Sequence, residues 1–246
     1  MRSLLALDLA GKMAHFRKFY TNSSSLSYPF PPRTAVAGML AAVLGWERDT
    51  YYDALSIKKA KIAVRIMKPS RSVMQTVNYI NTKELRHLDG SGGGTQVPIE
   101  IIFPADFDDL LIYRVFLLHA DSGITRELFA LLNTCRTKFP LYFGLTEFPA
   151  WVQRARLYED EDFELREEKG GEMAIDTVLP VKKVEEITGL DSGVRIHKDR
   201  IPLDFTGERT LSHAASVIWE AKGAPIWAKI RGEVFKTSEE SGVFLE

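Results

Sequence analysis

Hydrophobic positions in the N-terminal half of the chain switch between a strand period and a helix period. Apolar and small residues alternate over residues 3–9, which predicts a first strand. From Val36 onward, apolar residues recur at the i, i+4, i+7 and i+8 positions of one helix face. Two prolines, Pro31 and Pro32, precede this run and Gly45 follows it, which is typical of a helix start and a helix end. A helix over residues 34–44 is therefore predicted.

The other elements follow from the same two periods and from turn residues. Residues 10–28 carry no lasting period and are predicted to form a loop. Further helices are predicted over residues 50–55 and 124–133, and strands over 60–68, 71–80, 95–103, 110–119 and 151–158, with a strand or turn around Gly144. The acidic segment 159–172 is predicted to be a solvated loop, and short strands follow at 173–184, 194–205, 211–219 and 225–235.

The order of these elements predicts an α+β fold. Residues 1–158 give strand, helix, strand, strand, helix, strand, which is typical of a ferredoxin-like domain, the frame of RNA-recognition-motif-like proteins. Residues 68–103 form an inserted β-hairpin with a glycine-rich tip. The tip lacks the Lys-Ser/Thr ending of a phosphate-binding P-loop. Residues 159–246 are predicted to form a smaller, mostly-β C-terminal region.

Composition limits the classes of protein and the cellular compartments that fit this chain. With 246 residues and 45% hydrophobic content, the chain has ample capacity for a core. No apolar run approaches the ~20 residues that span a bilayer, so no membrane association is expected. Cys135 is the only cysteine, which excludes an internal disulfide and a thiolate zinc site and favours a reducing, cytoplasmic setting. The five histidines show no metal-ligand spacing, so neither a metal nor another cofactor is predicted.

Charge is distributed unevenly along a chain whose net charge is only −1. Residues 1–80 hold 12 Lys and Arg against 4 Asp and Glu, a net charge of +8, and the remainder carries −9. Such asymmetry is a hint of a polyanion-binding surface, although clustering on solvated faces gives the same pattern.

Candidate chemistry concentrates in residues 14–45, where cations and rings alternate ahead of the predicted helix. Single-stranded RNA is held by cations on its phosphates and by flat side chains against its bases. The predicted phosphate contacts are Lys12, His15, Arg17, Lys18 and Arg33, and the predicted base contacts are Phe16, Tyr20 and Tyr28. Ser23 to Ser25 and the first amides of the helix are further candidates for phosphate oxygens. Core packing is the alternative for Phe16 and Tyr20, and it is the better interpretation of Phe19 and Phe30.

Two segments of the chain resemble a known family. The segment AHFRKFYTNSSSLSYPFPPRTAVAGMLAAVLG, residues 14–45, is similar to the N-terminal signature of the fifth CRISPR-associated protein family, Cas-five. The segment FPLYFGLTEFPAWV, residues 139–152, resembles the aromatic-glycine element of that family. The order of elements also agrees, whereas the C-terminal third matches only in general character.

The resemblance implies a subunit of the type I Cascade surveillance complex. Such a subunit grips the 5′ handle of the CRISPR RNA, caps the filament of backbone subunits and contacts the large subunit that reads the protospacer-adjacent motif (PAM). Its thumb hairpin crosses the guide–target duplex, so target DNA is expected near the thumb. The thumb contacts implied here are Lys68, Arg71, Gln75 and Asn78.

The resemblance also indicates whether this subunit itself cuts RNA in antiviral defence. In the subtype I-C branch this subunit cuts repeat RNA with a Tyr and an adjacent Lys-His pair. No Lys-His dipeptide occurs in this chain, and His197-Lys198 has the reverse order. The expectation is therefore a non-catalytic ribonucleoprotein subunit, closer to subtype I-B, that has no catalytic residues.

Two alternatives belong to other classes. One is a metal-independent endoribonuclease that processes CRISPR repeat RNA, with His15 and either Tyr20 or Tyr28 as acid and base. The other is a structural adaptor whose acidic segment 159–172 binds a basic partner.

Overall fold

A computed structural model of the chain describes residues 2–21, 24–82, 84–189 and 193–246. The helices are α1 (Arg33–Leu44) and α2 (Ser122–Asn133). The strands are β1 (Ser3–Gly11), β2 (Phe16–Arg17), β3 (Ser27–Tyr28), β4 (Ala60–Ile66), β5 (Ser70–Ile80), β6 (Gly94–Pro104), β7 (Leu111–His119), β8 (Leu141–Tyr142), β9 (Pro149–Glu159), β10 (Phe163–Ile175), β11 (Leu179–Pro180), β12 (Val184–Ile187), β13 (Ile196–Phe205), β14 (Leu211–Glu220), β15 (Ile226–Thr237) and β16 (Ser241–Gly242). Strand therefore dominates the described regular structure.

A five-stranded antiparallel sheet, in the order β4-β7-β1-β9-β8, is the centre of the fold. Strand β1 lies in its middle and is buried along its whole length. Alternate side chains point to opposite faces of a strand. Leu5, Leu7 and Leu9 pack on the side that carries α1 and α2, whereas Leu4 and Ala6 pack on the other side.

The C-terminal strands pack against both sides of this sheet. One set, in the order β10-β15-β12, places Phe163 and Phe235 against Leu4 and Ala6 on the face away from the helices. The other set, in the order β11-β14-β13, contributes Ile201 and other apolar residues to the core that contains α1. The end of the opposite face that carries Leu4 and Ala6 is therefore covered by the C-terminal strands.

Strands β5 and β6 form the predicted hairpin, paired without a bulge from Ser70 opposite Pro104 to Ile80 opposite Gly94. A short 3-10 turn, Leu85–Asp89, occupies its tip. The base of the hairpin is fixed to the N-terminal loop, because Ala14 exchanges two backbone hydrogen bonds with Ile102. We refer to this hairpin as the thumb.

The elements predicted for residues 1–172 are largely confirmed, with three corrections. The predicted helix at 50–55 is a series of turns, since so short a segment gains too few hydrogen bonds to persist without an apolar face. The loop at 10–28 contains the short pair β2 and β3. The acidic segment 159–172 is not a loop but mostly strand β10, because its residues pair with β15 and Phe163 is buried. No helix among the described residues has the length and apolarity needed to cross a membrane.

Candidate nucleic-acid interface

The loop between β1 and α1 folds back on the base of the thumb, and His15 is the centre of that contact. The His15 side chain is only 3% exposed. Its Nδ1 lies 2.8 Å from the carbonyl oxygen of Glu100, and its Nε2 lies 2.9 Å from the Ser25 hydroxyl. A neutral ring with its proton on Nδ1 donates to the carbonyl and accepts from the hydroxyl, so both nitrogens are satisfied. His15 therefore ties the loop to β6.

The turn after β8 approaches this loop at backbone level. The amide of His15 donates to the carbonyl of Phe143 over 2.9 Å. Gly144 follows with φ +88°, in the left-handed region that favours glycine. A Cβ at Gly144 would overlap the carbonyl oxygen of His15 and lie 2.7 Å from its carbonyl carbon. The glycine is therefore required for this close approach, which brings residues 139–152 against residues 14–45.

These segments enclose a cleft of about 620 Å³. Its walls come from the N-terminal loop, the first turn of α1, the middle and tip half of the thumb strands, the turn around Gly144 and the end of β13. The aromatic side chains that line it are Phe16, Phe19, Tyr51, Tyr52, Tyr79 and Phe205. The polar side chains include Arg17, Ser24, Ser25 and Thr34. The cleft thus combines flat rings, hydroxyls and a cation.

The electrostatics of the cleft favour an anion beside neutral rings. Helix α1 opens on it through Thr34 and Ala35, has no acidic residue in its first turn and has no side-chain cap. The amides of a helix start attract phosphate. Burial, together with a hydrogen bond to Asp49, raises the pKa of Tyr52 to about 12, and burial also raises the pKa of Tyr51. Both rings are therefore uncharged at neutral pH.

One wall of the cleft is held by a latch between two loops. Asp49 and Arg209 both have left-handed backbones, with φ +68° and +60°. The Arg209 guanidinium donates twice to the Asp49 carboxylate, over 2.8 and 2.7 Å. Tyr52 also donates to Asp49, over 2.8 Å. This latch fixes the segment that carries Tyr51 and Tyr52 against the turn between β13 and β14.

Two predicted RNA contacts, Lys18 and Tyr20, are instead paired with a carboxylate of β13. Lys18 Nζ lies 2.8 Å from Asp199 Oδ2, and the Tyr20 hydroxyl donates to Asp199 Oδ1 over 2.6 Å. Burial opposes the charge on Lys18, but the hydrogen bond to Asp199 and the nearby negative charges together outweigh it and raise the pKa of Lys18. Burial likewise opposes the charge on Asp199, yet its bonds to Lys18 and Tyr20 lower its pKa. Tyr20 is still 47% exposed, so its ring remains accessible.

Two predicted base contacts, Phe16 and Tyr28, are buried, and the structure gives them packing roles. Phe16 is 3% exposed and meets the rings of Tyr113 and Phe143 edge to face. Tyr28 is fully buried, and its hydroxyl donates to the carbonyl of Arg200 over 2.6 Å. The basic-aromatic pattern could not distinguish rings that face solvent from rings that close the core. In this structure neither Phe16 nor Tyr28 exposes a ring face on which a base could stack.

Arg33 differs most clearly from its predicted role as a phosphate contact. Its side chain is 1% exposed, at the start of α1. The guanidinium donates to the carbonyls of Leu203, Leu55 and Ala60 over 2.7 to 2.9 Å. Burial lowers its pKa to about 10, so it stays charged at neutral pH. Arg33 is thus a buried cation that joins β13 to the main sheet, and it has no surface to offer to RNA.

The remaining predicted contacts lie on the surface. Arg17 is exposed beside the cleft and donates weakly to the carbonyl of Thr21, over 3.4 Å. Gln75 and Asn78 are exposed on the thumb. Lys68 pairs with Asp109, and the Arg71 guanidinium lies 3.6 Å from the centre of the Phe107 ring. Lys12 is exposed, and its ammonium group reaches the carbonyls at 108 and 109 over 3.5 and 3.3 Å. The predicted set therefore does not form one continuous surface.

Ser24 and Ser25 line the cleft, whereas Ser23 lies outside the described residues. Sequence reasoning missed Tyr51, Tyr52, Tyr79 and Phe205 as cleft residues. The pairing of the hairpin strands places Tyr79 on the same side of the hairpin as Val97 and Ile99. All three side chains line the cleft, so this pairing could have indicated Tyr79. Within the described ranges, no three His, Cys, Asp or Glu side chains come together as a metal site would require.

Comparisons with known proteins agree with this arrangement. Residues 4–109 match the model of the family described as CRISPR-associated protein (Cas_Cas5). No curated protein matches the chain. A CRISPR protein from Archaeoglobus fulgidus superposes with a TM-score of 0.60 at 12% identity, covering 98% of each chain. A chain of a CRISPR RNA-guided surveillance complex superposes with a TM-score of 0.50 at 15% identity, covering 90% of this chain and 91% of that one. The family match spans the loop, α1 and the thumb, and the structural likeness extends the shared fold to the C-terminal strands. Over residues 4–109 the chain is therefore similar to the Cas5 family of CRISPR-associated proteins, and it shares its overall fold with solved CRISPR proteins.

Proposed function

We propose that this chain is a non-catalytic RNA-binding subunit of a CRISPR surveillance complex, and that its cleft holds the 5′ handle of the guide RNA. The observation that carries the proposal is the cleft itself, where the N-terminal loop, the α1 start and the thumb strands converge. Rings suit unstacked bases, while the α1 amides and Arg17 suit phosphates. The family match covers the same three segments.

The fold supports this role. The sequence of β1, α1, β4, β7, α2 and β9, with the sheet order β4-β7-β1-β9, is consistent with a ferredoxin-like domain over residues 1–158. Residues 159–246 form the second region in this proposal. The thumb carries exposed Gln75 and Asn78, which we assign to the guide–target duplex, and Tyr79 nearer the cleft.

The partners follow from the same assignment. We assign three partners in the cytoplasm, namely the guide RNA, the large PAM-reading subunit and the filament of backbone subunits. This subunit caps one end of that filament. The surveillance-complex chain with the same fold supports such an assembly. The lack of a Lys-His dipeptide supports a non-cutting branch, and we propose subtype I-B. The hydrogen bonds that occupy both nitrogens of His15 also support a structural histidine.

Binding of a repeat-derived 5′-handle RNA tests the proposal. Tyr79→Ala removes a ring worth ~1–3 kcal/mol of stacking, so affinity should fall about 5- to 100-fold. Arg17→Ala should lower both the affinity and the dependence of affinity on salt. Trp227→Ala, at a 51% exposed ring on a different sheet, is the matched control and should change nothing. Affinities unaltered by both cleft variants would refute handle binding at this cleft.

Incubation with repeat RNA in a chelator tests the absence of catalysis. The RNA should remain intact. Specific cleavage that disappears in His15→Ala would instead establish the metal-independent endoribonuclease.

A further inference from the structure

An open part of the central sheet presents two aromatic rings and an arginine on the face away from the helices. Tyr142 lies opposite Pro149, and Trp151 lies two residues further along β9, so both rings leave the same face. Trp151 is opposite Ala10, and Arg154 is opposite Asp8 after a bulge in β9. We call Tyr142, Trp151 and Arg154 the open sheet face.

The packing of neighbouring core residues shows on which side of the sheet this face lies. Leu141, the neighbour of Tyr142, is buried in the cluster that contains α1. Leu4 and Ala6, which share a face of β1 with Asp8 and Ala10, are covered by Phe163 and Phe235. The C-terminal strands therefore cover one end of this face. At the other end Asp8 and Ala10 are buried, whereas Tyr142 and Trp151 on the neighbouring strands are exposed.

All three side chains are accessible. Tyr142 is 42% and Trp151 41% exposed. The side chain of Arg154 is 55% exposed, and its guanidinium lies 4.0 Å from Glu239, at the outer limit of an ion pair. Its neighbour Arg156 is more firmly paired with Glu239, over 2.6 Å. Arg154 thus has charge available for an anion.

The position of the face indicates what covers it. The turn that follows Tyr142 carries Gly144 and Leu145, which line the cleft on its other side. A single strand that leaves the cleft across this turn reaches Tyr142 and Trp151 next. Antiparallel sheets bind single-stranded RNA by stacking bases on exposed rings, with nearby cations on the phosphates.

We propose that the open sheet face binds the guide RNA where the strand leaves the cleft, with bases on Tyr142 and Trp151 and a phosphate at Arg154. This inference rests on the proposed function, because the strand must first occupy the cleft. It adds a second contact surface, on the opposite face of the sheet from the helices.

The test compares a short handle RNA with the same RNA extended by a uridine tract at its 5′ or its 3′ end. One of the two extensions should bind wild-type protein more tightly than the short RNA. Trp151→Ala should weaken binding of that extended RNA about 5- to 100-fold and leave the short RNA unchanged. Arg154→Gln, which removes the charge but keeps a polar side chain, should reduce the salt dependence of the extended RNA only.

Controls separate the two proposals. Trp227→Ala should behave as wild type with every RNA, and unfolding midpoints should confirm that the variants are folded. A photoreactive uridine in the extension should crosslink to the peptide that contains Trp151. If the short RNA binds but neither extension adds affinity, the open sheet face is refuted and the cleft stands. If no RNA binds wild-type protein, both proposals fail. If Trp151→Ala leaves RNA binding intact but releases a partner subunit, the face is a protein interface and the inference is overturned.

Discussion

Gly144 and His15 lie in van der Waals contact at the level of their backbones, although 129 positions separate them in the chain. The His15 amide donates to the carbonyl of Phe143, and the positive φ of Gly144 turns the chain away directly afterwards. Neither residue needs its side chain for this contact. The pair joins the aromatic-glycine turn to the loop that forms the other wall of the cleft.

Gly144→Ala should therefore destabilise the fold strongly. The new Cβ overlaps the His15 carbonyl, and a positive φ costs an alanine a further ~1 kcal/mol. We expect a loss of about 3 kcal/mol or more in the free energy of unfolding, as for other substitutions that force the backbone to move. Urea denaturation of the purified protein measures this loss.

Gly90→Ala is the matched control for that substitution. Gly90 has the same φ of +88°, yet a Cβ there meets nothing within 4 Å. Its cost should be confined to the backbone term of ~1 kcal/mol. Equal losses in the two variants would show that the close approach to His15 contributes nothing.

Arg33→Ala should lower stability rather than remove an RNA contact. The substitution leaves the carbonyls of Leu203, Leu55 and Ala60 without their donor and opens a cavity. Loss of a buried, hydrogen-bonded charge typically costs about 3–5 kcal/mol. Thermal or urea unfolding measures the change, and Arg17→Ala is the control because its exposed side chain should leave stability within about 0.5 kcal/mol of wild type. Wild-type stability in Arg33→Ala would contradict the buried role.

The Lys18–Asp199 pair should make part of the stability depend on pH. The pKa of Asp199 is lowered on folding, so its contribution is present above the unfolded pKa of 3.8 and is lost as pH falls through the lowered folded value. The pKa of Lys18 is raised, so its contribution is present below 10.5 and is lost as pH rises through the raised folded value.

Asp199→Asn isolates this effect. At pH 7 the variant should be less stable by about 1–2 kcal/mol, because it loses charge-assisted hydrogen bonds at a carboxylate that is only 14% exposed. The difference from wild type should shrink below pH 3.8 and stay constant between pH 5 and 9. Chemical denaturation across that range measures it, and a difference that persists in acid would exclude the ion pair as its source.

The Asp49–Arg209 latch should control how long RNA stays in the cleft. Arg209→Ala removes both hydrogen bonds to Asp49 and loosens the segment with Tyr51 and Tyr52. We expect handle RNA to dissociate about 3- to 10-fold faster with little change in association, since substitutions at an interface act mainly on dissociation. Stopped-flow measurements report both rates. Arg231→Ala, which removes an exposed arginine paired with Glu185 on another sheet, should leave both rates unchanged.

The spacing of hydrophobic residues along the chain predicted most of the secondary structure. The period of two in residues 3–9 and the helix face that begins at Val36 depend on neighbours in the chain, and β1 and α1 form where they indicate. The thumb was also predictable, because two β-rich runs flank a glycine-rich tip. The strand β10 was missed since its charged residues pair with β15, more than 50 positions away.

The sequence by itself determined the order of elements, the long hairpin, and the glycine and prolines that end or begin segments, because these follow from local backbone preferences. The tertiary structure alone decided which charged and aromatic residues are accessible. Arg17 and Arg33 are equivalent in the sequence pattern, but one is exposed at the cleft and the other is sealed among three carbonyls. Burial is set by strands from the far end of the chain, such as β13 over Arg33 and Tyr28, and no local pattern encodes that contact.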